Sequence, residues 1–294
     1  LTVRGSFDAA GGAFTSSGIV TFTSIAAETV TSGGNSFQNL VFNGSGGMFT
    51  QTDALIAVND LTIAAGTLNA AGYTLTIGGN WSSAGTFTSG ANTVIFNKAS
   101  GTQTVTTGGV GDGQDFNNLT HSGAGTLQLV TNAIDIDGTF VNNAGTFDAN
   151  SLDLYVAGNW TNSATFISGG NTVYFDAASG TQTVTTGGVG DGQDFNNLAH
   201  SGNAELYLAP SNALDVDGTL THSGSGDFDT GGNPVTCAAL AVSAGTFNND
   251  ARSGTWDING DLTITDATFK STSGTMSVQG QFTNNGTFVH NTGI

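Results

Sequence analysis

Two copies of a glycine-rich loop carry the side chains best suited to hold a cation. The segment TTGGVGDGQDF occurs twice in the chain. Carboxylates and backbone carbonyls on a tight loop are the ligands that Ca²⁺ requires. The sequence therefore offers one candidate Ca²⁺ site in each loop, and the aspartates concerned are Asp112, Asp115, Asp191 and Asp194.

A second interpretation of these loops is purely structural. The string partly resembles the calcium-binding nonapeptide GGxGxDxUx, but its aspartates fall one residue away from that register. The loops are also isolated, so neighbouring turns need not share a bound ion. We therefore interpret each loop first as a solvated connection that closes a coil, and we keep Ca²⁺ binding as the alternative. No other cofactor is indicated.

Two pairs of carboxylates, Asp135/Asp137 and Asp215/Asp217, are predicted to face outward from their strands. Paired carboxylates are the groups that hydrolyse glycosides. Both pairs lie at equivalent places of a repeated sequence, however, and a catalytic site rarely needs duplication. Lyase chemistry would also need a base over the substrate, and the four cationic residues are scattered. We expect no enzyme activity.

His121 and His200 are equivalent positions, each followed by Ser-Gly. Histidines some four coils apart cannot share a metal ion, so both are predicted to be structural or exposed. Trp81 and Trp160 are predicted to point inward, and the alternative is that outward aromatics stack on sugar rings. The same inward position is taken by Phe140 and Phe282.

Acceptor sites for N-linked glycans are a further possibility. The pattern N-x-[ST] marks such sites in secreted proteins, although several copies arise by chance in a chain rich in Asn and Thr. The asparagines concerned are Asn43, Asn80, Asn118, Asn159 and Asn285.

The elements that position these residues are indicated by an exact repeat. The string GTQTVTTGGVGDGQDFNNL runs from Gly101 to Leu119 and again from Gly180 to Leu198, 79 residues later. NTVIF, beginning at Asn92, is answered by NTVYF, beginning at Asn171. A chain that copies itself at a fixed interval is typically a stack of equivalent units.

A shorter motif, L-x-V-x-G-x-aromatic followed by Phe, underlies this copy. Its apolar positions 1, 3 and 7 alternate as on a strand, and glycine at position 5 allows a close backbone approach. No helical periodicity is sustained anywhere. The motif begins at Leu1, Leu75, Ile134, Leu154, Leu214 and Met276.

These features predict an all-β fold, a parallel β-helix of about 20 residues per coil. We expect right-handed winding, and roughly 14 coils rising about 4.8 Å each would give a rod about 70 Å long. Residues 1–294 would form one continuous β-solenoid. The copies of the 79-residue super-repeat would be about 1–80 (divergent), 81–159, 160–239 and 240–294 (partial).

Composition limits the partners. The net charge is −18 and only 9% of residues are charged, so no basic stripe is present to bind nucleic acid. No apolar run is long enough to enter a membrane. The single cysteine excludes an intrachain disulfide and a multi-cysteine zinc site. Divalent cations, cationic surfaces and neutral polysaccharides stay compatible with this composition.

The repeated L-x-V-x-G-x-[WF]-x-N-x-GTF units and NTVIF-type strands resemble the β-helical repeats of large bacterial surface proteins and filamentous-haemagglutinin-like adhesins. The resemblance covers essentially the whole chain and carries no catalytic residue. It implies secretion, a cell-surface location and a role in adhesion or as a stalk. Neither end of the sequence shows a capping pattern, so we expect a segment of a longer protein or a subunit that pairs end to end with other copies.

Two other functions are weighed against this structural rod. A carbohydrate-binding or polysaccharide-degrading β-helix would need a cleft, most naturally between Gly232 and Trp256. An ice-binding face would need threonine pairs once per coil in one register. The pairs present do not recur in that way, and they are Thr74/Thr76, Thr86/Thr88 and Thr102/Thr104.

Overall fold

The structure, a computed structural model, describes residues 1–111, 113–190, 192–248 and 252–291. These residues form an all-β parallel solenoid of about 14 turns that lie about 20 residues apart, without any helix. The predicted fold class is confirmed. Right-handed winding and the 79-residue super-repeat stay predictions. Since the described part of the chain is free of helices, no membrane-spanning helix occurs within it.

The chain divides into two compact units, Leu1–Asp148 and Ala149–Ile294. The strands described in the first unit are β1 (Thr2–Val3), β2 (Phe7–Asp8), β3 (Ile19–Phe22), β4 (Ala27–Thr31), β5 (Ser36–Phe37), β6 (Asn39–Gln51), β7 (Leu55–Ala57), β8 (Leu61–Asn69), β9 (Leu75–Ile77), β10 (Trp81–Ser83), β11 (Thr86–Thr88), β12 (Thr93–Phe96), β13 (Thr102–Thr106), β14 (Asn118–His121), β15 (Thr126–Leu129), β16 (Ile134–Ile136), β17 (Phe140–Asn142) and β18 (Thr146–Asp148).

The second unit is built in the same way from short strands. Those described are β19 (Leu154–Val156), β20 (Trp160–Asn162), β21 (Thr165–Ile167), β22 (Thr172–Phe175), β23 (Thr181–Thr185), β24 (Asn197–His200), β25 (Glu205–Leu208), β26 (Leu214–His222), β27 (Phe228–Asp229), β28 (Val235–Val242), β29 (Thr246–Phe247), β30 (Trp256–Ile258), β31 (Leu262–Lys270), β32 (Met276–Val278) and β33 (Phe282–Val289).

In the first unit the strands stack in three parallel columns. One column runs through β1, β3, β6, β8, β10, β13, β15 and β18. The second joins β2 and β4 to the C-terminal parts of β6 and β8 and then to β11. The third runs through β5, β7, β9, β12, β14 and β17. Each pairing is parallel, as expected when a chain returns to the same side once per coil.

The second unit repeats this three-column arrangement. One column contains β19, β22, β24 and the β26–β28–β31–β33 ladder. Another contains β20, β23, β25, β27, β29 and the C-terminal part of β31. The third is formed by the N-terminal parts of β26 and β28 with β30 and β32. The long strands β26, β28, β31 and β33 therefore pass from one column to the next.

The sequence motif stacks on itself in register in part of the chain but not throughout it: Leu214 shares a column with Met276, and Leu220 shares one with Phe282. In the first unit the column of Leu75 at position 1 leads through Val94 and Leu119 to Phe140, which is position 7 of the next motif copy. In the second unit the column of Leu154 leads in the same way to Leu220. Apolar residues therefore form the columns, but a given motif position is not confined to one column. Each column accepts any apolar residue of suitable size, because the interior requires burial and not identity.

Side-chain alternation places the core between the columns. In the second unit Phe247 stacks on Phe269 with ring centroids 5.3 Å apart and planes 7° apart, and Phe269 stacks on Phe288 at 5.7 Å. In the first unit Phe22 and Phe42 stack at 5.1 Å. Such stacked ladders follow from parallel in-register pairing, which places equivalent side chains one above another about 4.8 Å apart.

Glycine at motif position 5 permits the close approach that its pattern predicts. A Cβ atom added at Gly79 would lie 2.5 Å from the carbonyl carbon of Asn59 in the adjoining coil, and one at Gly138 would lie 2.6 Å from the Asn117 oxygen. Neither contact is sterically allowed. The turn between two columns is therefore tight at these positions because the residue has no side chain.

Candidate functional site

The two glycine-rich loops are anchored at both ends by buried residues. The Thr107 hydroxyl donates to the Ala133 carbonyl oxygen at 3.0 Å, and the Thr186 hydroxyl donates to that of Ala213 at 2.9 Å. Each loop returns to the core at a fully buried phenylalanine, Phe116 or Phe195. The loops therefore bridge fixed points of a coil, as the coil-closing interpretation expects.

Within each loop an aspartate holds the turn together. The Gly111 amide donates to Oδ1 of Asp115 at 3.1 Å, and the Gly190 amide donates to Oδ1 of Asp194 at 2.8 Å. Such a side-chain to backbone bond is a structural use of a carboxylate in a turn. The other two predicted cation ligands, Asp112 and Asp191, lie outside the described residues.

The structure brings together carboxylates that the sequence presents as separate candidates. Asp115 and Asp137 line one shallow crevice of about 200 Å³ beside Gly90. Asp194 and Asp217 line an equivalent crevice of about 350 Å³ in the second unit. In residues 1–111, 113–190, 192–248 and 252–291, no group of three acidic, histidine or cysteine side chains is placed to hold a metal ion. Ca²⁺ binding stays a prediction.

The electrostatics of the second crevice are those of crowded carboxylates. Burial raises the pKa of Asp215, and the negative charges of Asp194 and Asp217 raise it further.

Asp135 and Asp215 are half-buried and Asp137 and Asp217 are exposed, which confirms the outward placement of both pairs.

The two repeat-equivalent histidines are buried, which confirms a structural role. His121 is 1% exposed and its Nδ1 lies 2.9 Å from Oδ1 of Asn142. His200 is fully buried and stacks on His222, with ring centroids 4.9 Å and Nδ1 atoms 3.0 Å apart. The pairing of His200 with His222 was not predicted, although His222 lies one coil length downstream.

The hydrogen bonds of the histidine pair allow at most one charged ring, because the two Nδ1 atoms share a single proton. Nε2 of His200 lies 3.0 Å from the Ala204 carbonyl oxygen, which only accepts, so His200 carries its proton there. When both rings are neutral, Nδ1 of His200 accepts from Nδ1–H of His222. Burial lowers the pKa of His200 to about 4, and burial together with the charge of His200 lowers that of His222 to about 3. Nε2 of His222 is buried and forms no hydrogen bond with any of the described atoms.

The tryptophans predicted to point inward do so. Trp81 and Trp160 are each 1% exposed, and Phe140 is fully buried. Phe282 takes the equivalent inward position but is 48% exposed, because the structure describes a neighbouring coil on one side of it only. The alternative in which these tryptophans stack on sugars is excluded by their burial.

The predicted glycan acceptors differ in accessibility. Asn43, Asn159 and Asn285 are exposed. Asn118 is held in a corner, where its amide donates to the Asn92 carbonyl oxygen at 3.0 Å and its oxygen accepts from the Thr139 amide. Asn80 similarly accepts from the Thr104 amide at 2.9 Å. Glycosylation stays a prediction for all five. Asn118 would have to break its hydrogen bonds to Asn92 and Thr139 to carry a glycan.

The threonine pairs lie on different columns of the first unit. Thr76 pairs with Ile95, Thr88 with Asn69 and Thr104 with Gln128. The three pairs therefore do not share one register, as the sequence indicates, and they do not form the repeated threonine array that an ice-matching face requires.

An enzyme would need a cleft, which the sequence places between Gly232 and Trp256. The described strands of this region pair with the adjoining coils without interruption. Val235 pairs with Trp256, and Leu240 pairs with Leu262. Asn249, Asp250 and Ala251 lie outside the described residues.

A groove on the outer side of the second unit was missed by the sequence analysis. Tyr155 and Tyr174 point outward from adjacent coils and stack with ring centroids 4.7 Å apart and planes 5° apart. The next two residues of the same outward row are Ala199 and Thr221. A cavity of about 330 Å³ opens there, and we call it the tyrosine slot. Its lining residues are Thr172, Tyr174, Asn197, Leu198, Ala199, Ser201, Thr219, Thr221 and Ser223.

A sequence signal for the tyrosine slot does exist. The motif LTIGGNW becomes LYVAGNW in the second copy, and NTVIF becomes NTVYF. Both changes introduce tyrosine at outward strand positions one coil apart.

No protein-family model matches this chain, and neither a curated protein nor a solved structure shows significant similarity to it.

Proposed function

We propose that the chain is a non-enzymatic extracellular structural rod, acting as a surface adhesin or stalk segment or as a filament subunit assembled end to end. The observation that carries this proposal is the coil construction within each unit. Three columns of parallel strands enclose a core of stacked apolar side chains.

The mechanism of such a rod is mechanical. Within each unit, successive described coils are hydrogen-bonded along the column direction, and in the second unit the stacked aromatic rings add contacts between coils. A pull along the columns is therefore shared by several backbone hydrogen bonds per coil. The acidic outer surface, with a net charge of −18, keeps copies apart laterally.

In this proposal, end-to-end partners would bind at the coil of β33 in the second unit. Phe282 and Val289 on β33 are 48% and 38% exposed, and the described ladder continues from β33 only toward β31. A strand from another copy, or from a further repeat of the same protein, would cover these side chains and satisfy the backbone groups of β33. Secretion and a cell-surface location belong to the same proposal and rest on the resemblance of the repeats.

Negative-stain microscopy of native, full-length material tests this function. We expect elongated stalks or filaments. Phe282→Asp should shorten filaments by placing a charge in the end contact, whereas Val58→Lys, at another exposed apolar position, serves as the matched control. Only short, monodisperse particles from native material would contradict both the stalk and the filament roles.

An enzymatic role is disfavoured by the duplication of the carboxylate crevices. The crevice of Asp115 and Asp137 and that of Asp194 and Asp217 are lined by equivalent residues. A screen for reducing sugars released from plant and algal glycans is expected to be silent, and activity lost in Asp217→Asn would overturn the non-enzymatic assignment.

A further inference from the structure

We propose that the tyrosine slot is a binding site for one pyranose unit of a neutral polysaccharide. The slot is a local interruption of the outer surface of β22, β24 and β26. It is bounded by Tyr174 on one side and Thr221 on the other, with Ala199 as its floor. This inference does not depend on the structural role, since a chain that never assembles still carries the slot.

The dimensions of the slot fit one flat ring. Tyr174 and Thr221 are two ladder steps apart, which corresponds to about 10 Å. A ring stacked on Tyr174 at the usual carbon–carbon contact of about 3.5–4 Å would then fill the space above the methyl group of Ala199. Ala199 is 7% exposed, so its small side chain lies at the bottom of this space.

The aromatic wall is held in place before a ligand arrives. Tyr155 covers one face of the Tyr174 ring in a nearly parallel stack. The opposite face is turned toward the coil of Ala199, because β22 lies between β19 and β24. A ring already ordered by its neighbour loses less side-chain entropy when it binds a ligand.

The chemistry of the rim favours a sugar. Hydroxyl groups of Thr172, Ser201, Thr219, Thr221 and Ser223 surround the slot. A hydroxyl group both donates and accepts hydrogen bonds, so it can pair with sugar hydroxyls, which do the same. None of the lining residues carries a charge, although the chain as a whole has a net charge of −18. The slot therefore fits a neutral glycan, and the surrounding acidity disfavours an anionic one.

The first unit supplies an internal comparison. The positions equivalent to Tyr155, Tyr174 and Ala199 are Thr76, Ile95 and Thr120, which follow one another in the same way across β9, β12 and β14. There the aromatic wall is absent and the floor position carries a branched side chain. The exchange of three residues between otherwise similar strands thus separates a surface with the slot from one without it.

Binding is tested by calorimetry on the full chain with neutral hexasaccharides, namely cellohexaose, xylohexaose, mannohexaose and chitohexaose, and with an anionic hexagalacturonate. We expect one site and a dissociation constant of about 1 mM or tighter for at least one neutral probe. Tyr174→Ile should weaken binding about tenfold, since a lost aromatic contact of about 1.4 kcal/mol is a factor of ten. Ala199→Thr should also weaken binding, because its branched side chain would fill the floor of the slot. Tyr73→Ser, at another exposed tyrosine, should bind like the unaltered chain.

A gain-of-site variant keeps the test independent of losses in folding. Thr76→Tyr, Ile95→Tyr and Thr120→Ala together should build a second slot and raise the stoichiometry from one to two. Failure of all neutral probes, equal binding of hexagalacturonate, or unchanged affinity in Tyr174→Ile would overturn the proposal. So would a Tyr174-dependent dimer in sedimentation, which would assign the slot to an aromatic side chain of a second copy. None of these outcomes bears on whether filaments form.

Discussion

At the scale of single residues, the buried histidines make the fold sensitive to acid. His200 and His222 have pKa values near 4 and 3, below the usual 6.5, mainly because of burial, while Asp227 opposes the shift. The unfolded chain binds protons below about pH 6.5 and the folded chain does not. Stability is therefore fully present above pH 6.5 and falls as the pH drops toward 4.

We predict a loss of about 2 kcal/mol per histidine between pH 7.5 and pH 5, from linkage alone. Urea unfolding at the two pH values measures it. His222→Asn copies the His121–Asn142 pair of the first unit and should reduce the pH sensitivity by about 2 kcal/mol. Equal pH dependence in this variant would show that the pair is not neutral in the folded chain.

Cys237 offers a second residue-scale prediction. The side chain is 1% exposed, and burial, followed by the charges of Asp215 and Asp257, raises its pKa to about 12. Because the thiolate is the reactive form, we expect no labelling by a thiol reagent in native buffer and stoichiometric labelling in denaturant. Rapid labelling at pH 8 without denaturant would show that β28 opens locally.

At the scale of elements, the stacked phenylalanines connect successive coils of the second unit. Phe269 lies between Phe247 and Phe288 and is fully buried. Phe269→Ala should lower the free energy of unfolding by about 3–5 kcal/mol, because it removes two stacked ring contacts and an edge contact with Trp256 and leaves a cavity. Chemical denaturation measures this loss.

A second variant, Phe269→Leu, separates the contribution of buried volume from the contribution of ring stacking in the same column. Phe269→Leu keeps much of the buried volume and loses only the ring, so we expect a loss intermediate between zero and that of Phe269→Ala. A loss below 1 kcal/mol for the alanine variant would mean that the column relaxes around the gap and that neighbouring coils are not tightly coupled.

At the scale of the whole molecule, the acidic composition governs association. Copies with a net charge of −18 repel one another, and raising the ionic strength from 0.01 M to 0.15 M shortens the screening length from about 30 Å to about 8 Å. We predict faster and more extensive end-to-end assembly at the higher salt concentration, with light scattering as the measurement.

Phe282→Asp provides the control for this salt effect. Salt should restore association of this variant less than that of the unaltered chain, because an apolar contact is lost as well as a charge added. Assembly that slows as salt is added would contradict the end-contact proposal and would instead indicate attraction between charged groups.

The sequence by itself determined the class of the fold. The alternation of apolar and polar residues, with glycine at motif position 5 and an exact copy at 79 residues, predicts stacked parallel strands. The inward direction of Trp81, Trp160 and Phe140 followed from the period of two. These are local properties of the backbone, so pattern alone predicts them.

The tertiary structure decided which coils lie beside which. Leu75 stacks in the column of Phe140 and Leu154 in that of Leu220, because loops of unequal length shift the motif from one column to the next. The same register places His200 on His222 and Tyr174 beside Ala199. Coil-to-coil register depends on the summed length of every turn, so no single motif contains it, and the tyrosine slot exists only once that register is set.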